Sequence, residues 1–308
     1  MKPSQQFTAV LQAAFVTILW SSSWVFIKLG LRASLPALTF AGLRYTLAFL
    51  CLAPFVLLSS TNRAAIRSLK GKDWGQLALL GMILYTLTQG SQFLSLAYLP
   101  AAMASLLQSL TPIVVGLFGM IFLGERPSQG QWFGIALTAA GIAVYFLPVD
   151  IRAAQAFGLF IAVVGLCGNT AASLLGRLVN RATSSSSLIV TFISMGIGSL
   201  VLLAIGIAVQ GFGQLDLQSW LLIAWLAVVN TAFAFTLWNK TLRTLSAVES
   251  SVINNLMLPQ IAILAFVFLG EVLSGKEIIG LILVSLGVIW VQLQKKQVAS
   301  LVASSSQT

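Results

Sequence analysis

Histidine is absent from this sequence, and cysteine and acidic residues are rare. The 308 residues include no His, two Cys and only seven Asp and Glu. Without an imidazole, the chain lacks the commonest general base, metal ligand and proton shuttle at neutral pH. Cys51 and Cys167 lie alone inside apolar runs, where they form neither a zinc motif nor a disulfide framework. We therefore expect no catalytic residue, no metal site and no cofactor.

Charged residues as a whole are also scarce. They make up 8% of the chain, whereas an ordinary soluble domain has about 25%. Hydrophobic residues reach 58%, so few side chains remain to solvate a water-facing surface. The net charge of +10 would suit a nucleic-acid partner, but the basic residues are scattered over loops and helix ends rather than along one stripe. The composition predicts an all-α polytopic membrane protein that contacts the lipid bilayer and no nucleic acid.

Ten apolar runs recur along the chain, each close to the roughly 20 helical residues that cross a bilayer. We predict that they form ten transmembrane helices and that residues 298–308 form a disordered tail. The predicted spans are 9–30, 38–58, 74–96, 101–123, 131–147, 154–175, 188–209, 220–237, 250–269 and 277–293.

The sequence contains an internal repeat with a shift of 146 positions. This shift places the Phe-Leu-Gly-Glu run at 122–125 on the same run at 268–271, and places the glycines at 134 and 141 on those at 280 and 287. The repeat predicts two five-helix units, 1–148 and 149–297. Because five is odd, the second unit enters the membrane from the opposite face. Two inverted repeats are the architecture of secondary transporters.

Basic residues are distributed unequally between the two faces of the predicted membrane domain. Twelve of the 17 Lys and Arg fall on the amino-terminal side of the spans, four fall on the other side, and Arg44 lies within the second span. Lys- and Arg-rich loops stay on the cytoplasmic side. We therefore predict a multi-pass protein of the plasma (cell inner) membrane with both termini in the cytoplasm.

Several motifs closely resemble the EamA family of the drug/metabolite transporter superfamily. They are the two Phe-Leu-Gly-Glu runs, Trp-Ser-Ser-Ser-Trp at 20–24 followed by Lys28, Arg-Tyr at 44–45, and Leu-Gln-Ser-Leu-Thr-Pro at 107–112. The resemblance covers nearly the whole chain. It implies a permease or exporter that moves small organic metabolites, such as amino acids or amphipathic compounds, by alternating access. It does not specify the substrate.

Polar side chains within the apolar spans are candidate substrate contacts, because such groups are costly in hydrocarbon and usually face the protein interior or a wet cavity. The shift of 146 brings Gln108 onto Asn254 and Ser109 onto Asn255, an inverted pair that suits a site opening to each face in turn. The alternative is that these amides join helices by hydrogen bonds. The candidate amides are Gln89, Gln92, Gln108, Asn169, Asn230, Asn254, Asn255 and Gln260.

Four aromatic residues within the spans are further candidates, since their rings could stack on a planar or amphipathic solute: Trp20, Trp24, Tyr85 and Trp238. Ordinary packing is the alternative for each ring.

The charged residues near the spans have separate interpretations. Arg44 could attract an anionic group of a substrate, or it could pair with backbone carbonyls at a helix end. We expect Lys28 to extend its ammonium group to the interface. Glu125 and Glu271 precede the fifth and tenth helices, where a carboxylate is favourable at the positive end of a helix dipole.

Three classes of function remain in view: a secondary transporter of a small-molecule substrate, a channel or non-transporting receptor, and an intramembrane enzyme. The enzyme is the weakest, because all seven carboxylates map to loops or helix ends and no imidazole exists. Glu249, at the cytoplasmic entrance of the ninth helix, is the carboxylate to test for proton coupling. The sequence leaves open a monomer or a homodimer.

The inverted topology predicts that Gln129→Cys and Gly275→Cys place their thiols on opposite faces of the membrane. Labelling of intact cells with an impermeant thiol reagent should therefore distinguish the two single-cysteine variants. Labelling of both from the same face would remove the inverted repeat and the transporter interpretation with it.

Overall fold

A computed structural model describes residues 3–123, 128–147, 152–182, 186–241, 244–245 and 253–305. All regular elements in these ranges are helical, and no strand occurs among them. Five helices are long and apolar enough to cross a membrane: Gln6–Arg32, Ala37–Leu57, Gly71–Tyr98, Ala153–Gly176 and Leu188–Gln210. Shorter apolar helices cover Ala101–Val115, Leu217–Phe233 and Ile253–Leu269. The predicted all-α membrane class is confirmed.

The helices follow one another with short connections. In chain order they are α1 Pro3–Arg32, α2 Ala37–Leu57, α3 Ser60–Arg67, α4 Gly71–Gly81, α5 Gly90–Tyr98, α6 Ala101–Gln108, α7 Thr111–Leu123, α8 Gln129–Phe146, α9 Ala153–Ala182, α10 Ser187–Gln210, α11 Leu217–Ala227, α12 Ala234–Thr241, α13 Met257–Leu269 and α14 Gly275–Ser305. Two π-helical segments, in which hydrogen bonds span five residues, continue the helical path: π1 Met82–Gln89 joins α4 to α5, and π2 Val228–Phe233 joins α11 to α12.

Several elements differ from the sequence-based expectation. The run at 101–123 forms two helices, α6 and α7, rather than one. The loop after α2 contains α3, whose first turn is capped by the Ser59 hydroxyl accepting from the Asn62 N–H at 3.4 Å. Helix α14 continues to Ser305, over residues for which the sequence predicts disorder, because residues 295–305 contain no Gly or Pro to end it.

Acidic side chains in the described ranges stabilise helix N-termini. Asp73 accepts the Lys70 N–H at 2.9 Å at the start of α4. Asp216 precedes α11 and accepts the Ser219 N–H at 2.8 Å. Hydrogen bonds from the Ser219 hydroxyl and N–H lower the pKa of the Asp216 carboxyl. Such bonds satisfy N–H groups that have no partner within the helix, and a negative charge is favourable there.

The helices belong to two compact units that alternate along the chain. The first unit comprises Met1–Val25, Pro100–Ala153 and Ala234–Thr308. The second comprises Phe26–Leu99 and Ala154–Phe233. Each unit therefore draws helices from both halves of the sequence repeat.

In the first unit, α8 and α14 approach to backbone contact through four glycines. A Cβ atom added to Gly141 would lie 2.7 Å from the Val284 nitrogen and 2.9 Å from the Gly280 oxygen, and one added to Gly134 would lie 2.9 Å from the Gly287 oxygen. Gly134 thus faces Gly287 while Gly141 faces Gly280, so the two helices are antiparallel. Gly280 lies 146 positions after Gly134, and Gly287 lies 146 positions after Gly141. The repeat therefore exchanges the two contacting pairs, as a two-fold axis that relates α8 to α14 would.

In the second unit, α2 and α10 also approach closely at glycines. A Cβ at Gly42 would lie 2.5 Å from the Leu203 Cα, and one at Gly206 would lie 2.5 Å from the Thr39 nitrogen. The Thr86 hydroxyl of π1 donates to the Gly198 carbonyl of α10 at 2.8 Å. Small residues and hydroxyl bonds are the usual means of joining helices in membranes.

The glycine contact between α8 and α14 predicts that a Gly-to-Ala substitution changes the stability in opposite directions at two sites. Gly75→Ala, where a Cβ meets nothing within 4 Å, should stabilise α4 by up to about 1 kcal/mol through helix propensity. Gly141→Ala should destabilise the protein by about 1–3 kcal/mol, because its Cβ meets the backbone of α14. Thermal unfolding of the purified proteins checks this. An equal upward shift of both midpoints would contradict the described contact.

Candidate functional site

An interrupted helix in the first unit carries Gln108. Helix α6 ends at this residue and α7 begins at Thr111. At the interruption, the Leu110 N–H donates to the Leu107 carbonyl at 3.2 Å, three residues back rather than four. Pro112 has no N–H to offer the Gln108 carbonyl, and the Thr111 hydroxyl donates to that oxygen instead at 2.8 Å.

The same interruption recurs in the second half of the repeat. The Leu256 N–H donates to the Ile253 carbonyl at 3.1 Å, and α13 begins at Met257. Leu256 and Ile253 lie 146 positions after the two residues that bond at the first break. Gln108 and Asn254 each stand two residues before the leucine at the break. The sequence pairs these amides, and the structure places both of them beside broken turns.

The amides at the two breaks differ in exposure. Gln108 and Asn255 are half-buried, and Asn254 is exposed. Pro259 stands four residues after Asn255, whereas Pro112 stands four residues after Gln108, so the two prolines are offset by one position relative to the repeat. The carbonyl that loses its helical donor is therefore that of Gln108 in one half and that of Asn255 in the other.

Three aromatic rings cluster elsewhere in the first unit. The Trp20 ring lies 5.1 Å from the Phe235 ring and 5.1 Å from the Trp238 ring, between centroids. The Trp20 Nε1 atom is buried and has no hydrogen-bond partner within the described part of the chain. Trp24, four residues further along α1, is buried as well. The predicted aromatic candidates Trp20 and Trp238 are thus in contact, and Phe235 was missed.

Gln260 joins α1 to α13 rather than facing a solute. Its Oε1 accepts the Ser21 hydroxyl at 2.9 Å, and its Nε2 donates to the Thr17 hydroxyl at 3.2 Å. The Thr17 hydroxyl donates in turn to the Ala14 carbonyl at 2.7 Å. Both polar atoms of the amide are used in this chain of bonds, so we interpret Gln260 as an interhelical fastening.

A polar cluster in the second unit centres on Arg44 of α2, which is only 4% exposed. Its Nε donates to the Thr231 hydroxyl of π2 at 3.2 Å. The Arg44 Cζ lies 5.1 Å from the Tyr45 ring centroid and 5.9 Å from the Phe93 ring centroid. These distances allow cation–π attraction between the guanidinium and each ring.

Tyr45 extends this cluster to π1. Its hydroxyl donates to the Gln89 Oε1 at 2.6 Å, and its ring meets the buried Tyr85 ring edge to face at 5.6 Å. The predicted candidates Arg44, Tyr85 and Gln89 are therefore brought together. Sequence reasoning missed Tyr45, although it adjoins Arg44 in the Arg-Tyr motif. It also missed Thr231, which lies 146 positions after Tyr85.

The two π-helical segments occupy equivalent positions in the repeat. Met82 and Val228, their first residues, are 146 positions apart. Each contains a threonine that donates to the carbonyl five residues earlier, Thr88 to Ile83 and Thr231 to Leu226, both at 2.8 Å. Single π turns inside α-helices often accompany functional sites.

Gln92 and Asn169 are the remaining predicted amides. Both are half-buried, in α5 and α9 of the second unit. The Gln92 carbonyl accepts the Ser95 hydroxyl at 2.9 Å, and the Asn169 carbonyl accepts the Ser173 hydroxyl at 2.8 Å.

Two charged residues near the spans cap helix ends. The Lys28 ammonium donates to the Leu96 and Leu99 carbonyls, both at 2.6 Å, so it caps the end of α5. Glu271 accepts the Ala101 N–H at 3.0 and 2.9 Å, so it caps α6 rather than the helix that follows it. The preceding Pro100 has no side chain that could cap α6. Glu125 lies outside the described residues.

Metal ligands do not converge within the described ranges. No group of three His, Cys, Asp or Glu there could hold an ion.

The chain is similar to a family of known proteins over most of its length. The family model described as "EamA-like transporter family" matches residues 7–147 and 156–293. A solved crystal structure with 17% sequence identity has a TM-score of 0.62, with 93% of this chain and 98% of that chain covered. The latter similarity shows a shared fold.

Three curated relatives match over nearly their full lengths. The uncharacterized transporter YvbV of Bacillus subtilis is 28% identical over 306 residues, covering 96% of this chain and 95% of the relative. A probable terminal-alkyne amino-acid exporter of Streptantibioticus cattleyicolor is 27% identical, covering 88% and 89%. A probable amino-acid metabolite efflux pump of Salmonella typhimurium is 25% identical, covering 89% and 91%.

Proposed function

The chain belongs to the EamA-like transporter family, and from this premise we propose that it exports small organic metabolites across the plasma membrane by alternating access. The resemblance predicted from the motifs is confirmed, and so is the transporter class. The relatives described above are named as a transporter, an exporter and an efflux pump, and none of these names is that of an enzyme. Amino acids and amphipathic compounds derived from them are the proposed substrates.

The proposed architecture is ten spans in two inverted five-helix repeats, 1–148 and 149–297, with both termini in the cytoplasm. Three features support it by recurring at the spacing of 146: the glycine pairs of α8 and α14, the broken helices at Leu110 and Leu256, and the two π-helical segments. The family model also matches twice in succession. Thiol labelling at positions 129 and 275 tests this topology.

The duplicated break is the observation that carries the proposed mechanism. A broken helix within a membrane frees backbone groups from the helical pattern, and such groups are tolerated where they line a polar cavity or bind a solute. Each break here has an amide side chain two residues before it, Gln108 and Asn254. We assign the substrate contacts to these amides, with Asn255, Trp20, Trp24 and Trp238 in the same unit. Gln92 and Asn169 remain candidates in the second unit.

Substitution of the two amides should separate transport from folding. We expect Gln108→Leu and Asn254→Leu to raise the apparent KM about tenfold or to abolish export, because each removes hydrogen bonds at similar volume. The amount of inserted protein should stay unchanged. Export is measured on the compounds whose external concentration rises in cells that produce the wild-type protein.

Gln260→Leu is the matched control for these two variants. It removes an amide that fastens α1 to α13, so it should lower thermal stability more than either of them. Normal transport by both Gln108→Leu and Asn254→Leu would show that these amides only join helices.

The proposed transport mode is facilitated diffusion or substrate exchange. Proton-coupled carriers commonly hold a titratable group within the membrane. This chain has no His, and the sequence places its carboxylates near the interfaces. Glu249, the carboxylate chosen for a test of coupling, lies outside the described residues.

A pH gradient alone should therefore not drive uphill accumulation. In proteoliposomes with clamped membrane potential, we expect an exported compound to equilibrate at the same concentration of its transported protonation state on both sides. Uphill accumulation that survives this correction would refute uncoupled transport. Its loss in Glu249→Gln would then identify the coupling group.

A further inference from the structure

We propose that the connection between α2 and α4, residues 58–72 with helix α3, binds the headgroup of an anionic phospholipid. The inference goes beyond the proposed transport function and does not depend on it. It is carried by the position, the exposed charges and the apolar flanks of this connection, all of which belong to the second unit.

The connection lies between two helices that are long and apolar enough to cross a membrane. The first of them ends at Leu57 and the second begins at Gly71. The Arg63 Nη1 donates to the Leu57 carbonyl at 3.0 Å, and the Asn62 Nδ2 donates to the Phe55 carbonyl at 3.4 Å. These two bonds hold α3 beside the last turn of α2. Helix α3 therefore lies at the face of the membrane where α2 ends.

Two arginines lie next to each other on the exposed side of α3. Asn62, Ala65 and Ile66 are half-buried, whereas Arg63 and Arg67 are exposed. Residues four positions apart are neighbours on a helix surface, and like charges at this spacing are destabilising. A phosphate group between the two guanidinium groups would remove the repulsion and accept hydrogen bonds from both. Arg63 uses one of its five N–H groups on Leu57, which leaves donors for such a ligand.

The positive charge of this connection is not balanced within the second unit. Lys70 and Lys72 add two exposed cations directly after α3. The sequence of this unit contains two acidic residues, Asp73 and Asp216, and each of them accepts an N–H at the start of a helix. Residues 58–73 thus carry four cations and one carboxylate, a net charge of +3. Basic clusters next to a membrane span attract anionic lipids.

Exposed apolar side chains beside the cations favour a lipid over a soluble anion. Phe55 is 72% exposed, Leu58 is 80% exposed and Trp74 is 40% exposed. Tryptophan at the end of a span commonly anchors it where the hydrocarbon meets the headgroups. Apolar groups at that depth place the neighbouring cations at the level of the headgroups. A soluble phosphate would meet the same charges but would gain nothing from the apolar groups.

Lipid binding is measured on the purified full-length protein in detergent, where the lipid can be chosen. Phosphatidylglycerol and phosphatidylcholine with the same acyl chains are titrated separately, and the rise of the unfolding midpoint gives the apparent affinity for each. We expect the wild-type protein to prefer phosphatidylglycerol by about tenfold or more at low salt, and this preference should shrink at high salt. Glycerophosphoglycerol, the same headgroup without acyl chains, should bind at least about tenfold more weakly than phosphatidylglycerol.

Single substitutions locate the binding. Arg67→Gln removes one cation of the connection and should lower the preference for phosphatidylglycerol about fivefold. Lys240→Gln is the matched control, because it removes an exposed cation at the end of α12, and it should keep the wild-type preference. Arg67→Lys keeps the charge but loses the planar pair of donors, so it should give an intermediate preference. If Arg67→Gln fails to insert, Lys70→Gln takes its place with the same expected loss.

Three results would overturn the inference. Equal affinity for the two lipids would remove the headgroup site. Glycerophosphoglycerol binding as tightly as phosphatidylglycerol would assign the connection to a soluble anion. An unchanged preference in Arg67→Gln, or an equal loss in Lys240→Gln, would show that this connection is not where the anionic lipid binds. None of these measurements involves transport, so their failure would leave the proposed function untouched.

Discussion

Hydrocarbon offers no hydrogen bonds, so a chain that crosses it has to satisfy its backbone N–H and C=O groups with its own atoms. This constraint decides where helices of this protein can be interrupted. The break after α6 occurs where the Thr111 hydroxyl supplies the bond that Pro112 cannot. The π-helical turns occur where Thr88 and Thr231 donate to carbonyls five residues back. Irregular backbone in these helices is therefore accompanied by polar side chains that bond to its carbonyl groups.

The few charged side chains follow the same rule at helix ends. Glu271 is 170 positions from Ala101 in the chain, yet its carboxylate accepts the first N–H of α6. The Lys28 ammonium, which can only donate, bonds to two carbonyls at the end of α5. Arg44 differs from both in position, because it lies within α2, where its Nε donates to the Thr231 hydroxyl and its Cζ lies 5.1 Å from the Tyr45 ring centroid.

The sequence predicts the helical class and the positions of the apolar helices, because burial in lipid requires long apolar runs. It predicts the repeat, because the glycines of α8 and α14 have the same spacing in both halves. Arg44, Tyr85 and Gln89 were predicted as candidates, because polar and aromatic groups stand out in apolar helices. Tyr45 and Thr231 did not stand out, since a hydroxyl in a span resembles ordinary packing. A π turn has no compositional signature, and the partner of Glu271 depends on tertiary structure. The π turns and the partner of Glu271 therefore could not be predicted from the sequence.

The glycine contact between α8 and α14 also bears on how such a chain can change over time. Several of its close approaches involve backbone atoms, such as the Gly141 position against the Val284 nitrogen and the Gly280 oxygen. Backbone atoms are the same in every residue, so side chains outside these contacts can be substituted while the two helices stay in contact. In a chain built from two copies of one unit, the copies can therefore diverge in composition and acquire different ligand contacts while the four glycines keep them joined.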